Sequence, residues 1–381
     1  MPPTLRTLCL VRLVSGFGDG VTLVALTLLV APRGPYAVSG LLLAATLPRL
    51  AGPLLGALGD RADARAVLST TALVQGACVL AIALTQPPLP VLALLVAGSA
   101  VGATVFGATI RRTVPELVPA DRLAQANAWT ASAGNSSVLL GSAVGGLLFV
   151  AVGTRGALLV DAASFVVAAL LLRRLPPVPP TDGPRTGLLA DSLAGLAHVR
   201  LDPAVQALVL GTFLLVAFLA LDNVALVFLV TGDLGASPGS YGLVQAAYGV
   251  AMVLGSVAVL RRPRVSAQRW LVAGALLGAG GTVATGLAPT VVVAGLAQAV
   301  AGSGNALDVI ATDTLVQQLV PRGLLGRVGG TVGTAAQLGA AVAAGAGGPL
   351  LAWGGPRTVF VVSGIGSLAA LFVLLPAARR S

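Results

Sequence analysis

Runs of about 20 apolar residues, cut by clusters of Pro, Gly and Arg, recur along the whole length of this chain. A membrane-spanning helix needs that length, and lipid forces every backbone polar group to be satisfied within a helix or a closed barrel. We read spans at roughly 8–31, 38–58, 66–86, 89–110, 124–152 and 156–173, then at roughly 204–231, 239–260, 269–287, 289–310, 327–352 and 357–376. Only 9% of the 381 residues are charged and mean hydropathy is +0.95. A soluble domain carries about 25% charged residues, so the solvent of this chain is lipid. The expected fold is all-α and integral to the membrane, with twelve transmembrane helices.

The charge balance of +10 comes from 23 basic residues, all of them arginine. On the twelve-span reading, 18 arginines fall on one side. They are Arg6, Arg61, Arg65, Arg111, Arg112, Arg122, Arg173, Arg174, Arg185, Arg200, Arg261, Arg262, Arg264, Arg269, Arg322, Arg327, Arg379 and Arg380. Arg33, Arg155 and Arg357 take the other side, and Arg12 and Arg49 fall inside spans. The positive-inside rule then puts both termini in the cytoplasm. The basic excess is a topology signal, and it removes the case for nucleic acid as a partner. The arginine-only, Ala/Gly/Val/Leu-rich composition suggests a GC-rich bacterial source, hence the inner membrane.

The expected organisation is a six-helix bundle over 1–173, a cytoplasmic linker over 174–203 and a second six-helix bundle over 204–381. The linker opens with RRLPPVPPTDGPR, whose prolines forbid a regular helix. It continues with a stretch in which Leu189, Leu193, Leu196 and Val199 share one helical face, with Asp191 and His198 elsewhere. That pattern predicts an amphipathic helix on the membrane surface. His198 is the single histidine and reads as a solvated side chain. Cys9 and Cys78 lie in apolar segments at no metal or redox spacing, so neither a disulfide framework nor a metal site is expected. The first apolar stretch runs past 20 residues without a small-residue cleavage site, and reads as a first span rather than a signal peptide.

The two halves repeat. ELVPADRLAQANAW, from Glu116, aligns with QLVPRGLLGRVGGT, from Gln318. Pro119 then meets Pro321, Gly145-Gly146 meets Gly347-Gly348, Gly153 meets Gly355, and Arg155 meets Arg357, all at an offset of 202 without a gap (357 − 155 = 202). Two six-span copies in the same orientation are parallel repeats about an axis along the membrane normal, an arrangement that places a substrate site near the midplane.

Three stretches carry a family resemblance. Gly56-x-x-x-Asp60-Arg61-x-x-x-Arg65, between the second and third spans, resembles the signature loop of the major facilitator superfamily, with Asp63 where that family usually has glycine. Gly141-Ser-Ala-Val-Gly145-Gly146 in the fifth span resembles the family's antiporter motif, with Ser142 in place of proline. VRLVSGFGDGVTLVAL in the first span and LLVDAASF in the sixth are similar to the macrolide-efflux and enterobactin-exporter branch of drug:proton antiporters. The resemblance implies a major facilitator fold and makes Gly56, Asp60, Arg61 and Arg65 a gating loop. In it, the aspartate caps a helix of the other half and pairs with loop arginines. The competing reading of these charges is a solvated turn that also sets topology. For Gly141, Gly145 and Gly146 it is ordinary small-residue packing.

A charge at mid-bilayer costs about 2.5–3.5 kcal/mol on insertion scales, so it needs a partner, a cavity or a proton. Asp19, Arg49, Asp161, Asp222 and Asp308 lie inside spans. Asp19 and Asp222 sit in matching places, GDGVTL against LDNVAL. Asp19 and Arg49 fall at similar depth, either as a fixed structural pair or as a switch broken by a proton or a substrate cation. Asp222 has no arginine near it in sequence and is the better candidate for carrying a proton, with Asp308 or Asp19 next. Asn135, Asn223, Gln245, Tyr248, Asn305 and Gln337 are expected to face a substrate cavity.

These features predict a secondary transporter, a monomer in the lipid bilayer, exporting a small amphipathic compound in exchange for protons. No P-loop is present and no cofactor is expected. A proton-linked importer or uniporter is the nearest rival in mechanism. An intramembrane enzyme would need a nucleophile–base pair or metal ligands within spans, and a membrane sensor would usually add a soluble output domain.

Overall fold

The computed structural model describes residues 2–52, 54–55, 62–119, 123–179, 202–262, 264–320 and 324–380. The Gly56–Arg61 part of the signature loop, His198 and the amphipathic stretch of the linker lie outside the described residues.

The described residues are helical almost throughout, as lipid requires. α1 spans Pro3–Val30, α2 Pro35–Leu50, α3 Ala64–Thr85 and α4 Leu89–Leu117. The run Leu123–Leu172 breaks at Gly153 into α5 (123–152) and α6 (154–172). α7 comprises Pro203–Leu219 and, after a turn at Ala220 and Leu221, Asp222–Phe228 and the π-helical turn Leu229–Asp233. α8 spans Pro238–Leu260, α9 Ala267–Gly286 and α10 Val291–Leu319. The run Leu325–Arg380 breaks at Gly355 into α11 (325–354) and α12 (356–380).

Local chemistry starts these helices. Pro sits in the first turn of α1, α7 and α8, where its missing N–H costs nothing. Asp63, Asp202, Ser266 and Thr290 accept a backbone N–H from the first turns of α3, α7, α9 and α10. The two long runs are broken by backbone that L-residues rarely adopt: φ 67° and ψ 179° at Gly153, φ 72° and ψ 174° at Gly355. These glycines stand 202 positions apart (355 − 153 = 202).

Seven segments among the described residues are long and apolar enough to cross a membrane, so the protein is a multi-pass membrane protein. The sequence predicts twelve spans, and several of those stretches are merged, short or diluted by polar residues. α5 with α6, and α11 with α12, each form one unbroken apolar stretch. α2 has only 16 residues before the undescribed segment, and α10 is diluted by Gln298, Asn305, Asp308, Asp313, Gln317 and Gln318. α9 has 20 residues, five of them glycine, with mean hydropathy lowered further by Gln268 and Arg269.

The chain divides into two compact units, one of residues 1–32 and 43–184, the other of 33–42 and 185–381. In the first, α1 packs along α5–α6, and α3 packs on α4 and α6. In the second, α7 packs along α11–α12, and α10 packs on α8 and α9. Val205, Leu208, Leu271, Leu315, Val328 and Leu374 belong to a buried apolar cluster of the second unit.

Candidate functional site

The second unit holds a polar cavity of about 200 Å³. Five residues expected from sequence to face a cavity or carry a proton line it together: Asp222, Asn223, Gln245, Tyr248 and Asn305. The turn at Ala220 and Leu221 interrupts α7 and sets Asp222 and Asn223 at the cavity wall, while Gln245 and Tyr248 come from α8 and Asn305 from α10. Gln298 of α10 and Thr282 of α9 complete the polar lining. Both were open to sequence reasoning, being polar residues within apolar spans, and were missed.

Within this cavity the half-buried Asp222 carboxylate has the Asn223 backbone N–H and the Gln298 side chain as polar neighbours. Tyr248 lies within electrostatic reach of both Asp222 and Asp308 and has the Asn305 side chain beside its hydroxyl. The other side of the Asn305 amide rests on the Met252 sulfur, Nδ2 to Sδ 3.9 Å. No basic side chain lines the cavity among the described residues.

Asp308 is different. It is 2% exposed, and neither carboxylate oxygen has a hydrogen-bond partner. Its carboxylate sits against α9 at Gly274, where a Cβ would collide with Oδ1, and lies near Gly278. Asp308 also borders a second cavity of about 850 Å³ between α7, α10 and α11, which shares Val216, Leu219 and Asn305 with the first. Gln337 on α11 borders neither cavity, and its Oε1 is buried without a partner. Asn135 lies on α5, and its side chain is outside the described residues.

The first unit builds a more strongly charged site. A cavity of about 120 Å³ is lined by Arg12, Asp19, Gln75 and Phe106 among others. Arg49 attracts Asp19 most strongly, Arg12 next. The attraction acts through space: the direct ion pair within 4.0 Å found among the described residues is Arg357 Nε to Asp233 Oδ2, at 3.2 Å. Asp161, fully buried, lies within electrostatic reach of Asp19. It accepts hydrogen bonds from Thr22 Oγ1 and from Ser164 Oγ, the latter at 3.1 Å. That ties α6 to α1, a role the sequence alone did not give it.

The motif residues have local partners. Gly141 and Gly145 let α5 approach the α1 backbone closely. A Cβ on Gly141 would strike the Phe17 carbonyl, and one on Gly145 would lie 3.0 Å from Val21 Cα. Gly146 is buried beside them. Arg65 donates from Nη1 to the Leu175 carbonyl at 3.4 Å, and Ala64 N donates to Val178 O at 2.9 Å. The start of α3 therefore holds the chain that leaves α6. Asp63, the residue that departs from the family's glycine, caps α3 by accepting Ala66 N at 3.0 Å.

A family model described as Major Facilitator Superfamily matches residues 8–228 and 208–381, together nearly the whole chain. The chain belongs to the major facilitator superfamily. It is 27% identical to the uncharacterized MFS-type transporter YfiS of Bacillus subtilis (strain 168), with 94% of this chain and 89% of YfiS covered. A variant of the nucleoside transporter NupG shares the fold at TM-score 0.84, with 13% identity and 98% and 99% of the two chains covered. The D-xylose-proton symporter matches at TM-score 0.73, with 18% identity and 97% and 96% covered. The protein is thus a transporter rather than an enzyme. No group of three His, Cys, Asp or Glu that could hold a metal ion occurs among the described residues.

Proposed function

We infer that this chain is a proton-coupled exporter of a small amphipathic compound, working by alternating access as a monomer. The setting is a bacterial inner membrane with both termini in the cytoplasm. The observation that carries the reading is Asp222: a carboxylate on the wall of a polar cavity whose described lining contains no cation. Such a group can take a proton from one side and release it where the cavity hydrates, whereas an ion-paired carboxylate stays charged. The close α1–α5 approach at Gly141 and Gly145 supports the resemblance to the antiporter motif, and so favours export.

Twelve spans in two parallel repeats are the architecture we assign. Its support is equivalence at the offset of 202. α4 at Leu89–Leu117 and α10 at Val291–Leu319 correspond end to end (291 − 89 = 202). The two kink glycines share one backbone conformation. Arg155 donates to the Leu84 carbonyl at 2.7 Å and Arg357 to the Gly286 carbonyl at 3.1 Å, again 202 apart at both ends (286 − 84 = 202). On this architecture, Asp60 with Arg61 and Arg65 forms the cytoplasmic latch.

A second reading, proton-linked import, has one observation in its favour: the likeness of the fold to the D-xylose-proton symporter. The test that separates them is a compound-susceptibility screen of cells with and without the gene, followed by uptake of each hit into inverted membrane vesicles. Export predicts that the gene raises tolerance and that an acid-inside gradient drives uptake. Raised susceptibility, with accumulation in whole cells, would establish import instead.

A further inference from the structure

Arg12, Ser15, Gly16 and Asp19 follow one another at i, i+3, i+4 and i+7, so they share one face of α1. The two charges lie about 10 Å apart along the helix axis, counted at the backbone. Between them on that face stand only the small side chains of Ser15 and Gly16. All four residues line the 120 Å³ cavity of the first unit, with Gln75, Phe106, Gly134 and Phe165 on its other sides. The charges do not close on each other: among the described residues, the direct ion pair within 4.0 Å is Arg357 to Asp233.

The Arg12 guanidinium is fixed in place and short of a partner. It packs on Gly134 of α5, where a Cβ would lie 2.8 Å from Nη2 and 3.0 Å from Cζ and Nε, and its Nε is buried without a hydrogen-bond partner. An arginine keeps its charge in a protein, so inside a span it needs an anion rather than the loss of a proton. Asp19 meets that need only in part, since Arg49 attracts it more strongly than Arg12 does. Arg111 repels Arg12. Asp161 is committed to Thr22 and Ser164. A carboxylate carried by a ligand would give Arg12 charge-assisted hydrogen bonds. A ligand with a carboxylate alone would set it beside Asp19, and one with an ammonium alone would add a cation to a region that already holds Arg12, Arg49 and Arg111. A zwitterion adds no net charge and answers both Arg12 and Asp19.

We propose that the first unit binds a small zwitterion, with its carboxylate on Arg12, its ammonium on the Asp19 side of the cavity and its carbon chain against Phe106 and Phe165. The proposal names a substrate class, and it rests on the export reading for its physiological meaning. Arg12 is then a specificity residue, which makes the site prefer a balanced pair of charges over a lone cation. Recognition here needs no change of protonation, and coupling stays with Asp222.

The test uses full-length protein in lipid nanodiscs, with calorimetric titration corrected against empty discs. The probes share one five-carbon chain: norvaline and 5-aminopentanoate carry both charges at short and long spacing, pentylamine the cation alone and pentanoate the anion alone. At least one zwitterion is expected to bind about tenfold or more tighter than both single-charge probes, since each of those leaves a charged side chain unanswered. Arg12→Gln is expected to bring that zwitterion to within about threefold of pentylamine. Unfolding temperatures near wild type establish that the variant folds. Should it not fold, Gly134→Ala decides: its methyl displaces the guanidinium, and zwitterion binding is expected to weaken by about threefold or more. The proposal is overturned if neither zwitterion outbinds both single-charge probes in wild type, if folded Arg12→Gln protein keeps the full advantage, or if Gly134→Ala in the deciding role leaves zwitterion binding unchanged. Proteoliposome flux separates this outcome from the export reading. Selective zwitterion binding without gradient-driven export removes the export reading and keeps the site. Gradient-driven export of some other compound, without zwitterion selectivity, removes the site and keeps the export reading.

Discussion

The two units solve the problem of burying carboxylates in opposite ways. In the first, Asp19 is attracted by Arg49 and Arg12, and Asp161 is held by Thr22 and Ser164. In the second, Asp222 stands on a cavity wall without a cation in its described lining, and Asp308 lies against α9 at the border of the larger cavity with both oxygens unpartnered. Yet the scaffolds correspond at an offset of 202, down to the kink glycines and the arginines that close the ends of α3 and α9. Matching positions therefore do not imply matching chemistry. Charge compensation in one unit suits fixed structure or capture of a cation; its absence in the other suits a group that exchanges protons.

The largest effect expected from breaking the comparison is at the shared close approach. Gly145 lies against Val21, and Gly347, its counterpart 202 positions on, against Val224. Gly145→Leu and Gly347→Leu should each reduce turnover in a vesicle flux assay by about a hundredfold, because a large side chain cannot fit a small-residue interface. Normal turnover in one variant alone would show that the units move by different contacts. A smaller effect follows at the register position where the units differ, Asp161 against Ser363 (363 − 161 = 202). Asp161 receives two side-chain donors, whereas Ser363 donates once, to the Phe218 carbonyl at 2.8 Å. Asp161→Ala should destabilise by about 1–3 kcal/mol by orphaning Thr22 and Ser164, and Ser363→Ala by about 1 kcal/mol. Detergent unfolding temperatures give the order; the reverse order would remove Asp161 from its structural role.

The arginine caps should respond less. Arg155→Ala and Arg357→Ala each remove hydrogen bonds to the last carbonyls of a helix, at about 1 kcal/mol. Arg357 also pairs with Asp233, a half-exposed contact at 42% and 36% side-chain exposure. That pair adds no more than about 1 kcal/mol and fades with salt. The cost of Arg357→Ala should therefore shrink in high salt while that of Arg155→Ala, which loses two carbonyl bonds and no ion pair, stays the same; an Arg357→Ala cost unchanged by salt would remove the pair's contribution. Loss of the Asp63 cap, in Asp63→Ala, should cost about 1 kcal/mol with transport retained.

Much of this was legible in the sequence because lipid is an exacting solvent. Polar residues in apolar spans are expensive, which marks Asp222, Asn223, Gln245, Tyr248 and Asn305, the residues that the cavity joins. The same signal was present at Gln298 and Thr282. The repeat was readable from Pro, Gly-Gly and Gly-x-Arg, since the backbone conformation at Gly153 and Gly355 restricts what residue can stand there. What the sequence did not disclose was side-chain partnership across distant segments: that Asp161 answers to Thr22, that Asp308 faces glycines rather than an arginine, and that Gln337 borders neither cavity. One-dimensional spacing orders residues along a helix and does not say which neighbour each face meets.

The division of labour between the units is tested most directly in inverted membrane vesicles with an imposed acid-inside gradient, comparing wild type, Asp222→Asn and Asp19→Asn on one transported compound. Asp222→Asn should lose gradient-driven uptake while keeping exchange of substrate down its own gradient. Asp19→Asn should keep gradient dependence and show weaker apparent substrate affinity. Full gradient-driven uptake by a folded Asp222→Asn protein, or loss of coupling in Asp19→Asn alone, would contradict the account and move the proton site out of the second unit's cavity.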